Sequence, residues 1–385
     1  MSAETRGVAH HILFVPGMSD AIGRACAERI LESPARYLDV DFRGGEPLTN
    51  VSVVRGIVHE LREGCLRTGK KLALSMVTNL SHMTSEACDW LLANQVMLTV
   101  TFDGPPAAHE ANRALTGAPT HDETQRWVRE IHARHAALGV SPSLAYVNGA
   151  VTVTRATVAA GADAVVEACR SLGLVYVLLQ PLRSPGRIPQ AYLSLACAPD
   201  EYLAFYREAL RRIVELNDAG TLLVEKRLAL YLETLSSIDP RAAPTAPSTV
   251  EVLAYGHDGR VYPRESGPLL ASGGEEGGAI GRVEIEHYQD LARRALDRVL
   301  TMPRSAGCAT CAHDRYCGTS LIRRYTMDDD AVTKDFGTDW CKTSMGTFDQ
   351  VFELLRSERG ATLKRVYGKW MAARDGVAAR LRSQG

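Results

Sequence analysis

The sequence predicts an α/β protein whose parallel sheet is buried by helices. Three observations carry this. Short apolar runs alternate with amphipathic stretches through the first half of the chain. Six such strand–helix units follow in series, and parallel strands need long crossovers of this kind. The chain has 385 residues, with 45% hydrophobic and 23% charged residues, so it has the length and apolar content for a large core. Crossovers of one hand then leave two closures open: a doubly wound sheet, or a sheet curled into a partial or full barrel.

Taken in order, strands are expected at 12–15, 37–42, 72–77, 96–102, 143–147 and 174–179. Between them the helical period recurs. Ser19 stands as an N-cap, and Ile22, Cys26 and Ile30 repeat every four residues after it. Over 51–68, Val54, Ile57, Val58 and Leu61 fall on one face. Further helices are expected at 84–93, 121–137 and 156–172. From 199 to 236 the pattern is helical throughout, beginning with Tyr202, Phe205 and Tyr206. A Pro- and Ala-rich linker covers 240–247. Two short apolar runs, 250–255 and 260–263, flank Gly256-His257-Asp258-Gly259 and read as a hairpin around an Asp-Gly turn. A Gly/Glu loop at 272–278, a helix at 286–300, a cysteine-rich loop at 308–341 and a helix at 347–382 complete the chain.

Lys plus Arg is 44 against Asp plus Glu at 45. A near-neutral chain has no global attraction to nucleic acid or to an acidic membrane surface. No apolar run is long enough for a bilayer, and the first residues lack a signal-peptide core. A cytoplasmic location is therefore expected. Nine cysteines, an odd number, are then expected to be thiols or metal ligands. Cys26, Cys65, Cys88, Cys169 and Cys197 are isolated and read as core residues.

Cys308, Cys311, Cys317 and Cys341 lie in a turn-rich segment and open with a C-x2-C pair. Four thiolates aimed at one point suit an iron–sulfur cluster. A structural zinc site takes the same ligands, and unrelated buried thiols are the third reading. At the other end of the chain, Gly44-Gly45-Glu46-Pro47 follows the second strand. The glycines permit close approach of a ligand, and Glu46 offers a carboxylate to an ammonium group. Thr78-Asn79 ends the third strand, and Thr101-Phe102-Asp103-Gly104 ends the fourth, with His109 and Arg113 beyond. Polar groups at three successive strand ends predict a small-molecule site at one mouth of the sheet.

These motifs, in this order, resemble the radical S-adenosylmethionine (SAM) superfamily with a C-terminal SPASM-type domain, nearest to the radical SAM maturase of the His-Xaa-Ser peptide system. The resemblance runs from about residue 12 to 355. It implies a partial (β/α)6-type TIM-like barrel over 10–185. A helical bridge and linker over 186–247, a SPASM-like cysteine-rich domain over 248–345 and a helical tail over 346–385 follow. In the family, the Gly-Gly-Glu-Pro motif receives the amino group of SAM, which places Gly44, Gly45, Glu46, Pro47, Thr78, Asn79, Thr101, Asp103 and Arg113 at the cofactor. Glu110 stands where the family has Asp. Asp258 to Pro263 looks like the SPASM hairpin, with Arg264 in place of a common cysteine. Cys308, Cys311, Cys317 and Cys341 look like ligands of an auxiliary [4Fe–4S] cluster, with zinc as the alternative.

One departure outweighs these agreements. The family's Cys-x3-Cys-x2-Cys loop follows the first strand, and here that stretch is Phe14-Val15-Pro16-Gly17-Met18-Ser19. The expectation is a degenerate member of a ribosomal-peptide modification system that binds a precursor peptide or SAM, alone or beside a second maturase, without cleaving SAM. The alternative is an active peptide-modifying maturase, by radical SAM chemistry or by a different metal centre at the mouth. For such a centre, His10 and His11 would act with Glu46 or Asp103. Arg155 and Gln180 are weaker candidates for the cavity rim.

Overall fold

The computed structural model describes residues 9–13, 17–114, 119–139, 147–182, 194–237, 252–263, 278–301, 306–313 and 339–383. In chain order the first half holds β1 (Ala9–Leu13), α1 (Asp20–Leu31), β2 (Tyr37–Arg43), α2 (Val51–Thr68), β3 (Lys71–Thr78), α3 (Ser85–Ala93), β4 (Met97–Thr101), α4 (Pro106–Arg113), α5 (His121–Ala137), β5 (Val147–Val153), α6 (Arg155–Ala160), α7 (Ala162–Ser171) and β6 (Tyr176–Pro181). There follow α8 (Pro199–Asp218), β7 (Val224–Glu225), α9 (Lys226–Ser237), β8 (Val252–Gly256), β9 (Arg260–Tyr262), β10 (Gly281–Arg282), α10 (Tyr288–Thr301), α11 (Ala306–Ala309), α12 (Asp339–Arg356) and α13 (Gly360–Ser383).

The helix starts follow from capping. Ser19 accepts from Ile22 N–H, and Thr84 accepts from Ala87 N–H. Thr120 and Glu123 form a reciprocal capping box at the start of α5, which satisfies two otherwise orphaned donors. None of the described helices is long and apolar enough to cross a membrane.

The strands form one sheet in the order β10-β9-β8-β1-β2-β3-β4-β5-β6-β7, and β1 to β7 are all parallel to their neighbours. The expected hairpin is present: β8 and β9 pair antiparallel, with Ala254 opposite Tyr262. It continues the barrel's own sheet, because β8 runs parallel to β1 with His11 opposite Ala254.

Side-chain alternation divides the sheet. Ile12, Val40, Phe42, Leu74, Met76, Leu98, Val100, Val151, Val153, Val177 and Leu179 are buried in the core on the helix side. The other face carries His11, Asp41, Ser75, Thr99, Thr101, Asn148 and Thr152, which fall in register across neighbouring strands. That face is curled inward. A flat sheet would put β7 about 24 Å from β2, at about 4.8 Å per strand. Yet Lys226, directly after β7, lies within electrostatic reach of Asp41 and Arg43 on β2.

Four expectations need correction. The fifth strand is Val147–Val153, reaching beyond the expected 143–147, of which 143–146 lie outside the described residues. Asn148 and Gly149 lie inside it, and a Cβ at Gly149 would meet Leu174 Cδ1 at 2.9 Å. The helix expected at 156–172 breaks at Gly161, whose φ is +87°. The helix expected over 199–236 is interrupted by β7, after Gly220 turns the chain with φ +96°. The last helix is two helices, and α12 starts at Asp339, so Cys341 sits in its first turn rather than in a loop.

Candidate functional site

Two polar clusters form at the C-terminal edge of the parallel strands. The first surrounds Glu46. Gly44 and Gly45 are exposed, and Gly44 has φ +87°, the left-handed turn that lets the chain leave β2 sharply. Glu46 then caps a short 3₁₀ turn, Pro47–Asn50. Its Oε1 accepts from Thr78 Oγ1 at 2.7 Å and from Leu48 N–H at 3.0 Å. Its Oε2 accepts from Asn79 N–H at 2.7 Å. Burial pushes this carboxyl above its ordinary value, while the bonds from Asn79, Leu48 and Thr78 pull it back.

The Asn79 amide is aimed by a strained neighbour. Leu80, a buried non-glycine residue, has φ +67°, and its N–H donates to Thr78 Oγ1 at 2.9 Å. Such outliers persist where surrounding bonds over-determine them. Nothing in the sequence marks Leu80 as special, so sequence reasoning missed it.

The second cluster surrounds Asp103, which is fully buried. Its Oδ2 accepts from Arg113 Nε at 2.7 Å and its Oδ1 from Thr152 N–H at 2.7 Å. His109 Nδ1 accepts from Asp103 N–H at 3.3 Å, and its Nε2 faces Pro119 O at 3.3 Å. Burial lowers the His109 pKa. Glu110 accepts from His121 N–H at 2.8 Å, which ties α4 to the start of α5. Asn112 bonds Thr152 O and Thr154 Oγ1. This cluster fastens α4 onto β5, and both oxygens of Asp103 are used in doing so. Thr101 Oγ1, by contrast, is buried with no hydrogen-bond partner among the described residues.

His10 and His11 do not form a metal pair. Consecutive strand residues face opposite sides. His10 is fully buried on the helix side, with Nδ1 2.9 Å from Tyr255 OH and its ring 5.9 Å from that of Tyr288. Burial lowers its pKa to about 3. His11 faces the lumen beside Asp41. Arg155 is exposed and donates to Ser194 O at 3.3 Å; Gln180 lies on the lumen face in register with Thr152.

The cysteines separate into two groups. Cys26, Cys65, Cys88 and Cys169 are buried, and burial raises the thiols of Cys88 and Cys169 to about 11 and about 12. Cys26 is the first cysteine of the sequence; it is completely buried in α1, and burial pushes its thiol up strongly. A SAM-cleaving cluster needs three thiolates near one point after β1, and this residue does not fit that role. In the second group, Cys311 N–H donates to Cys308 O at 3.2 Å, so one turn presents both thiols. His313 Nε2 lies 3.0 Å from Asp349 Oδ1, docking this turn on α12, the helix that carries Cys341. Cys341 Sγ lies 3.5 Å from Met345 Sδ. Cys317 falls outside the described residues. Among the described residues no three His, Cys, Asp or Glu side chains gather into a metal-holding group.

A shallow groove of about 370 Å³ between α8 and α12, lined by Asp200, Arg207, Asp349 and Glu353 among others, is distinct from the strand ends and contains none of the predicted site residues.

No protein-family model and no curated protein matches the sequence. Solved structures do. The chain is similar to anSMEcpe with bound AdoMet, an anaerobic sulfatase-maturating radical SAM enzyme, at 16% identity and TM-score 0.71, covering 94% of this chain and 100% of that one. The same enzyme with bound AdoMet and the Cp18Cys peptide aligns at TM-score 0.71 and 16% identity, covering 94% and 99%. Streptococcus suis SuiB bound to precursor peptide SuiA aligns at TM-score 0.60 and 10% identity, covering 86% and 76%. At these identities the likeness establishes the fold: a TIM-like α/β architecture of the kind found in radical SAM/SPASM maturases.

Proposed function

We propose that this chain is a degenerate radical-SAM/SPASM-like protein of a ribosomal-peptide modification system. It binds a peptide or SAM at the barrel mouth, as partner to a second maturase, and does not cleave SAM. The observation that carries this reading is the connection after β1. Reductive cleavage needs an electron delivered through an iron–sulfur cluster, a redox step no side chain supplies. The sequence has no cysteine before Cys26, and Cys26 is buried away as a core thiol.

Binding capacity remains. A carboxylate offers about four acceptor sites, and Glu46 spends three on Thr78, Leu48 and Asn79. The fourth suits the ammonium of SAM, with Gly44, Gly45 and Pro47 shaping the approach and Thr101 and Asn79 at neighbouring strand ends. Asp103 and Arg113 hold the mouth's frame rather than the ligand. A peptide occupant is supported by the similar structures that carry peptides. The finer placement beside the His-Xaa-Ser maturase rests on sequence motifs alone, as does the cytoplasmic setting.

Cys308, Cys311, Cys317 and Cys341 hold the auxiliary metal in this reading, a [4Fe–4S] cluster or, alternatively, zinc. The docking of the Cys308–Cys311 turn onto α12 through His313 and Asp349 supports their grouping. Anaerobically purified protein should contain about four irons and four sulfides per chain for one cluster, against about eight for a working maturase. About one zinc and no sulfide selects the zinc site. Release of 5'-deoxyadenosine from SAM under dithionite refutes the degenerate reading and selects an active maturase. Calorimetry with SAM reads the mouth directly: Glu46→Gln should abolish the heat of binding.

A further inference from the structure

The groove between α8 and α12 lies outside the mouth, and nothing above gives it a role. Its volume is about 370 Å³, with Leu203 of α8 and Gly346 of α12 among its lining residues. Gly346 lets the two helices come close, because a Cβ there would collide with the Leu203 side chain. The helices run in the same direction: Gly346 meets Leu203, and farther along Arg359 bonds Glu215 at 2.9 Å. The lining stretches Asp200–Arg207 and Gly346–Glu353 are each two turns of helix, about 10 Å long. That length suits one extended long side chain.

Gln350 also lines this groove and is 5% exposed. Its Nε2 donates to Leu203 O at 2.7 Å. That bond fixes the carboxamide's orientation, since turning it over would set oxygen against a carbonyl oxygen. Its Oε1 is buried and has no hydrogen-bond partner among the described residues. A buried acceptor left unmade is costly, so the groove lacks a donor. The charges lining it call for the same kind of ligand. Asp200, Asp349 and Glu353 bring three carboxylates against the single guanidinium of Arg207.

We propose that this groove seats the cationic side chain of a Lys or Arg residue carried on a peptide, its stem along Leu203 and Gly346 and its N–H groups donating to Gln350 Oε1 and the groove carboxylates. A long basic side chain covers apolar surface with its stem and keeps its charge for the polar end, and its bonds there are charge-assisted. An apolar side chain would leave Gln350 Oε1 unmet. An anion would find one guanidinium among three carboxylates. A shallow groove does not enclose a free small molecule as a ligand pocket does, which favours a side chain presented by a longer chain. This deepens the peptide-binding half of the reading above and rests on it, at a second place on the molecule.

The chain has seven glutamines, so ¹⁵N labelling of their side chains gives a sparse NMR spectrum. Gln350→Met identifies the Gln350 NH₂ signal by its loss. The probes are N-acetyl methylamides of arginine and lysine, with those of norleucine and glutamate as the apolar and anionic alternatives. At least one cationic probe should move the Gln350 signal, with norleucine and glutamate at least about tenfold weaker. Asp200→Asn combined with Glu353→Gln, both at exposed positions, should weaken the cationic probe by about three- to tenfold. An unmoved signal with both cationic probes overturns the proposal, and so does norleucine or glutamate matching them. An unchanged titration in the folded double variant also overturns it. If Gln350→Met does not fold, broadening of the probes' own signals gives the same affinities, and the double variant places them in the groove. SAM calorimetry on the same protein reads Glu46 separately. Loss of SAM binding with the cationic probe still bound sinks the reading of the mouth, and the converse sinks only this site.

Discussion

His10 gives the sharpest quantitative expectation. Its imidazole is fully buried between Tyr255 and Tyr288. Nδ1 meets Tyr255 OH, and Nε2 has no partner among the described residues. Burial, with lesser contributions from His11 and Lys70, lowers the pKa from 6.5 to about 3. The folded protein therefore excludes a proton that the unfolded chain binds below pH 6.5. Stability from this group is complete above 6.5 and is lost as the pH falls toward 3. Between pH 7.5 and 4.5 the loss works out at about 3 kcal/mol, from about two pH units spent below the unfolded value. His10→Leu removes the titration and roughly preserves volume. Its missing bond to Tyr255 is a constant offset, because Tyr255 does not titrate in this range. Urea unfolding of both proteins at the two pH values gives four free energies. The wild type should lose about 3 kcal/mol more than the variant over that interval, since carboxylate contributions cancel in the difference. Equal losses, within about 0.5 kcal/mol, would refute the burial argument.

Other perturbations test the strand ends. Arg113→Met should cost about 3–5 kcal/mol by leaving Asp103 charged and buried without its partner, and pairing it with Asp103→Asn should recover part of the loss in the same urea titration. Glu46→Gln should lower the urea midpoint by the equivalent of about 1–3 kcal/mol, because its NH₂ meets the Asn79 or Leu48 N–H groups donor to donor; an unchanged midpoint contradicts the hydrogen-bond assignment. Gly104→Ala should cost about 1–3 kcal/mol in thermal unfolding, since Gly104 has φ +92° and a Cβ there would come within 3.2 Å of Val165 Cα.

Much of this architecture was legible from apolar runs and caps. The helix over 51–68 and its core residues Val54, Ile57, Val58 and Leu61 follow from periodicity alone. So do the strands expected at 37–42, 72–77, 96–102 and 174–179, while of the run 12–15 only Ile12 and Leu13 lie among the described residues, at the end of β1. The fifth strand continues through Gly149 beyond the apolar run that ends at Val147, and the close approach of Leu174 leaves no room for a Cβ there. The two-residue β7 was hidden because Val224-Glu225 continues a helical pattern, and its pairing with Tyr176 and Val177 is invisible to periodicity. The alternation Asp39-Val40-Asp41-Phe42-Arg43 was the one signal available for a polar lumen, since a strand wholly buried in a doubly wound sheet would read as continuously apolar.

The polar residues at the strand ends therefore divide by how much of their bonding capacity folding consumes. Asp103, Arg113, His109 and Asn112 bond one another and the β5 backbone, and each oxygen of Asp103 is held by one of these bonds. Their bonds account for how α4 is fastened to β5. Both oxygens of Glu46 are likewise engaged, whereas Asp41 keeps an Oδ1 with no partner among the described residues. Unused capacity in a buried group is costly to stability and is retained only where something else fills it. By that criterion the unfilled acceptor lies on β2, one strand from β1. On the helix side the same strand buries the apolar Val40 and Phe42, so the unpartnered Asp41 Oδ1 is a cost that strand packing alone does not call for.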